Sequence, residues 1–176
     1  VYFNRPSVFL PPGGDLPGLN QVEGDFHALV ARRLASRWLF NPLYSVGEGE
    51  DREVREDLRG PREAGDIAFN WSNLADAEGS IMGGYDFRDE GEGMFTNLGT
   101  NLGFAPLDLY FMGFVGPENV SDFFIIRSPR LGGSPLDPAS DIPDGATVSG
   151  EAEFVSLDQI VDVLGPRVPA AFDVVP

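Results

Sequence analysis

Between residues 22 and 40, apolar side chains recur every three or four positions, at Phe26, Leu29, Val30, Leu34, Trp38 and Leu39. This spacing predicts one long amphipathic helix. Asp25 suits its N-cap. Asn41-Pro42 ends it, because the residue before a proline is pushed out of the helical region. Ahead of it, residues 1–21 read as an irregular arm. The arm has a short strand candidate at Ser7–Leu10, broken by Pro11, Pro12, Gly13 and Gly14.

Beyond the helix the apolar pattern is short and interrupted. Ile67–Trp71 reads as a brief buried segment and Glu78–Gly84 as a turn. Pro106 suits the first position of a short helix, Leu107–Met112, closed by Gly113. Phe123–Ile126 predicts a buried strand, residues 128–146 a Pro/Gly/Asp loop, and Val148–Val155 a further strand. Ser156-Leu157-Asp158-Gln159 is a capping box that opens a helix through Leu164, stopped by Gly165-Pro166. Phe172–Val175 is a last strand candidate. The expected class is α+β, with one long helix, short helices, a small sheet and long loops. The expected organisation is an arm, 1–21, and a single domain, 22–176.

Charge sharpens this picture. There are 28 acids against 12 bases, a net of −16, and all twelve bases are Arg. Fourteen acids and five Arg fall within residues 47–93, and Glu48–Asp66 reads as a solvated, charged excursion. Such a field repels phosphate, so binding to nucleic acid or anionic lipid through net charge is not expected. The chain has no Cys, which rules out disulfide staples, thiolate zinc sites and thiol chemistry. No apolar run approaches 18 residues, so no membrane-spanning helix is expected. The start, Val1-Tyr2-Phe3-Asn4-Arg5, has no Met and no signal-peptide pattern, and is expected to be a processed or internal start.

Several blocks stand in a characteristic order. They are Leu34-Ala35-Ser36-Arg37-Trp38, Asn70-Trp71-Ser72, Ser80-Ile81-Met82-Gly83-Gly84 and Glu90-Gly91-Glu92-Gly93. Ala105-Pro106-Leu107-Asp108-Leu109-Tyr110-Phe111-Met112-Gly113 and Gly165-Pro166-Arg167-Val168-Pro169 come after them. Over residues 28–169 the chain resembles a bacterial family of secreted, metzincin-like metalloproteases. The resemblance implies a zincin-like fold and an extracytoplasmic location. Its departures fall on chemistry. Arg32 and Ser36 occupy the two helical His positions, Arg33 the general-base position and Asn70 the third-ligand position. Arg is permanently protonated and offers zinc no lone pair. The resemblance therefore implies a pseudoenzyme without zinc, working as a structural or interaction subunit beside other proteins, including the outer face of a membrane complex. The aromatic arm, Tyr2, Phe3 and Phe9, suits lying along such a neighbour.

Two alternatives come from other classes. One is a metal-dependent hydrolase with a non-standard ligand set, using His27, the only His, with acids of the 76–92 stretch. The other is a calcium-stabilised acidic binding module, with Asp86, Asp89, Glu90 and Glu92 as ligands and Asp76 and Glu78 in support, because hard cations need several oxygens from one flexible loop. The plainer reading of the same acidic turn, 86–92, is a solvated hairpin. Asp108 is expected to be buried and bonded to backbone.

Overall fold

The computed structural model describes residues 42–60, 71–100, 103–138 and 140–167. The arm, the 22–40 helix with Arg32, Arg33 and Ser36, Asn70, His27 and the Phe172–Val175 strand lie outside these residues. The described elements are β1 (Tyr44–Val46), β2 (Glu53–Arg55), β3 (Trp71–Asp76), β4 (Gly83–Gly91), β5 (Met94–Gly99), α1 (Pro106–Met112), β6 (Phe123–Leu131), β7 (Ser134–Pro135), β8 (Thr147–Val155) and α2 (Leu157–Leu164).

The architecture corrects the expected class. The described residues are 42% strand and 19% helix, and among them five strands close into a barrel with two α-helices beside it. They are mostly β, not the expected zincin-like α+β arrangement. The order around the barrel is β3-β4-β5-β8-β6, and Ala75 paired with Ile125 closes β6 back onto β3. A closed ring with an odd number of strands cannot be antiparallel throughout. The parallel pair is β3–β4, while the other four junctions are antiparallel.

Parallel neighbours normally need a crossover of a dozen or more residues. Here Ala77–Met82 makes the return, because β3 and β4 meet at only two places, Trp71 opposite Gly83 and Asp76 opposite Tyr85. Gly84 makes the return possible. Its φ is +73°, and a Cβ there would stand 2.7 Å from the Ala77 Cβ. The two expected short helices are present with their expected signals. α1 begins at Pro106 and ends on Gly113 in the left-handed region, φ 85°. Ser156 caps α2 reciprocally with Gln159.

One face of the β5, β6 and β8 strands carries Phe95, Phe124, Ile126 and Val148, all buried. Phe95 and Phe124 have ring centroids 5.3 Å apart. Asn97 is fully buried among apolar neighbours yet satisfied. Its amide donates to the Ile142 carbonyl at 2.7 Å, and its oxygen accepts from the Gly99 N–H at 2.8 Å. The opposite face of β6 and β8 is covered by the small β1–β2 hairpin, which α2 clamps from outside. The Gln159 side chain donates to the Ser45 carbonyl at 2.9 Å, and Ser45 Oγ donates to Asp162 at 2.9 Å.

Candidate functional site

Three groups of side chains hold the chemistry-bearing residues of the described region. The first lies inside, at Asp108. Its carboxylate accepts from the Trp71 indole at 2.8 Å, from the Ala105 backbone N–H at 2.9 Å, and from the Ser80 hydroxyl. Burial pushes its carboxyl upward, and the three donors oppose that. Asp108 thus ties β3, the 77–82 return and the start of α1 together. The expected buried, backbone-bonded role is what the structure shows. Met82 packs in the same core. Trp71, Ser80, Met82 and Asp108 come from three of the blocks that carry the family resemblance, and they converge here in a structural role.

The second group lies beneath the β1–β2 hairpin. Tyr44 is buried, and its single phenolic proton has two carboxylate neighbours, Asp57 at 2.9 Å and Glu153 at 2.8 Å. Arg127, from β6, donates to the Tyr44 oxygen, to Asp57, and to Glu153 at 2.6 Å. Arg55, from β2, reaches Glu153 at 2.5 Å and Glu53 at 3.0 Å. Burial would push the Glu153 carboxyl up. Hydrogen bonds from Arg127, Tyr44 and Arg55 outweigh it and hold it at about 2. Burial and the hydrogen bonds to Glu153 and Asp57 push the Tyr44 phenol up, so it stays neutral at ordinary pH. Every strong donor here already has its acceptor. The group works as a clasp holding the hairpin to the barrel.

The third group lines a pocket between β3 and α1. Its wall is Trp71, Ala75, Ala105, Leu107, Val120 and Phe123, and its polar members are Asp76, Glu78 and Ser121. It is a small cleft, with about 20 Å³ of room for a water-sized molecule. Trp71 and Phe123 meet edge to face, with centroids 6.3 Å apart. Asp76 accepts from the Phe87 N–H at 3.2 Å. Burial raises its carboxyl to about 6, and the negative charges of Asp86 and Glu78 add to that rise. Among the described residues no ion pair involves Asp76. Ser121 Oγ lies 3.4 Å from the Glu78 carboxylate. An apolar cleft with few polar groups, one of them titrating near neutrality, has the composition of a ligand site.

Of the acids expected to hold calcium, Asp86 lies within electrostatic reach of Asp76, and the others lie farther along the hairpin. Asp86, Asp89 and Glu90 are on β4, and Glu92 is in the turn to β5. Asp89 accepts from the Gly91 N–H at 2.8 Å, whereas Glu90 pairs with Arg88 at 2.6 Å. Arg88 sits opposite Thr96 and Asp89 opposite Phe95, so the strand sends these side chains to opposite faces. Among the described residues no three His, Cys, Asp or Glu side chains are grouped to hold a metal ion. They do bring Asp76 and Glu78 together, but at the apolar pocket. Sequence reasoning singled out neither the pocket nor the clasp. Trp71 and Asp76 share β3 but Phe123 comes from β6, so no spacing along the chain signals the pocket.

No family model, no curated protein and no solved structure matches the chain. Among the described residues no helix is long and apolar enough to cross a membrane.

Proposed function

We propose that this chain is a non-catalytic recognition module, a structural or interaction subunit of a larger extracytoplasmic assembly, and that it binds through the pocket between β3 and α1. The observation that carries the reading is the contrast between the three groups. Asp108 is saturated by donors, and the clasp residues are saturated by one another. The pocket alone joins an apolar wall to a carboxylate that has no ion pair among the described residues. The extracytoplasmic setting and the loss of zinc chemistry rest on the resemblance of the sequence blocks, with Arg32, Arg33, Ser36 and Asn70 at the ligand and base positions.

The test is a random-peptide display selection on the purified chain, run beside peptide-hydrolysis assays with zinc and with calcium. Selected peptides are expected to bind the wild type and to bind Ser121→Trp at least about tenfold more weakly, since that indole fills the mouth from an exposed position. Unchanged melting of the variant shows that its fold is kept. Metal-dependent turnover lost on chelation, or selected peptides indifferent to Ser121→Trp, would overturn the proposal.

A further inference from the structure

The β1–β2 hairpin is a sheet of its own. Its strands pair with each other, and among the described residues no ladder joins them to the barrel. A lone two-stranded hairpin is marginally stable in water, so its place depends on what ties it down. Of its six strand residues, Tyr44 and Ser45 are the buried ones, and the turn from Gly47 to Arg52 is exposed.

The ties are polar and mostly charged. Arg127 of β6 is their hub, because one guanidinium donates to Tyr44, to Asp57 and to Glu153. Arg55 reaches Glu153 from the hairpin side at 2.5 Å. On the α2 side Arg52 pairs with Asp162 at 2.7 Å, and Ser45 bonds the same carboxylate at 2.9 Å. The side chains of these ion pairs keep between 25% and 55% of their surface in water, so dissolved ions reach them. Just beyond the clasp the chain is pinned by other means. Leu58 is fully buried, its carbonyl accepts from the Ser72 N–H at 2.8 Å, and Arg59 bridges to Trp71. The barrel is held by apolar contact among Phe95, Phe124, Ile126 and Val148. It also belongs to a chain of net charge −16, whose self-repulsion salt relieves. Salt thus acts on the two parts with opposite sign.

We propose that the β1–β2 hairpin is a salt-released strap, which lifts off the barrel as a unit, hinged at Leu58 and Arg59, when ionic strength loosens the clasp centred on Arg127. Release uncovers Arg127 and Glu153 on their strands and brings Tyr44 into water. The inference stands on the hairpin and its ties and is independent of the pocket between β3 and α1.

Amide hydrogen exchange on the full chain, in low and high salt, tests it. Amides of residues 44–46 and 53–55 are expected to exchange together, at least about a hundredfold faster than those of 124–126 and 148, with little acceleration by dilute urea. Raising NaCl from about 0.05 M to about 1 M should speed the hairpin about tenfold and slow the barrel. Arg127→Gln should speed hairpin exchange about tenfold in low salt and remove most of its salt response. Asp57→Asn should do the same in part from the hairpin side, and it decides the matter if Arg127→Gln fails to fold. Glu90→Gln, which breaks the exposed pair with Arg88, should leave the hairpin's salt response as it is. Exchange of hairpin and barrel at one rate would overturn the inference, as would salt that slows both. A salt response that survives the clasp substitutions would overturn it too.

Discussion

Two carboxylates are displaced in opposite directions, and each leaves its own mark on stability. Glu153 is held at about 2 by its arginine and tyrosine donors. The stability it contributes is complete above its ordinary value of 4.5 and is lost as pH falls toward 2. Asp76 is raised from 3.8 to about 6, chiefly by burial. Its contribution is complete below 3.8 and is lost as pH rises through about 6. Urea midpoints measured from pH 2 to pH 8 should therefore rise on the acid side and decline between about 4 and 6. Asp76→Asn should remove the decline and stabilise the fold at pH 7 by about 1–2 kcal/mol, allowing for solvent screening. Glu153→Gln should flatten the acid limb and cost about 2–3 kcal/mol, because two arginines and a phenol lose their common acceptor.

Among elements, the close crossing of β6 and β8 sets a strict geometric demand. A Cβ on Gly150 would lie 2.5 Å from Ile126 Cγ2 and 2.6 Å from the Arg127 carbonyl, and the Gly150 N–H bonds the Gly93 carbonyl at 2.9 Å. Gly150→Ala should thus destabilise by about 2 kcal/mol through overpacking, read as a lower urea midpoint. Local signals of this kind explain which elements are legible in the sequence. α1 and α2 carry Pro, Gly and capping-box punctuation within a few residues, and both stand where that punctuation places them. β6 and β8 show through their apolar runs. β6 nevertheless continues to Leu131, into the stretch expected to be loop, because Arg127 and Arg130 pair across it rather than breaking it. β4 and β5 are legible only at their turn, where the 86–92 acids read as a solvated hairpin. Asp86, Arg88, Asp89 and Glu90 face outward or run past the barrel's end, so the acids that suggest a loop or a calcium site are the solvated side of a hairpin. The Arg55–Glu153 and Arg127–Asp57 pairs span 98 and 70 residues, and no spacing along the chain reports such contacts.

For the molecule as a whole, the barrel turns five short strands into a support for one cleft. β3 supplies Trp71 and Asp76, the residues before α1 and its first turn supply Ala105 and Leu107, and the start of β6 supplies Phe123. Asp108 fixes the first two against each other. Strand pairing around a closed ring is non-local by nature, and this is why the pattern along the chain points to α+β while placing the two helices well. The net charge acquires a role at this scale. A surface of −16 draws cations toward the molecule and repels anions. The most direct test of the central claim is an amide NMR map of the full chain with a display-selected peptide. The account predicts shifts concentrated at residues 75–78, 105–107 and 120–123. Shifts concentrated instead on the 53–57 hairpin or the 86–92 acids would contradict it.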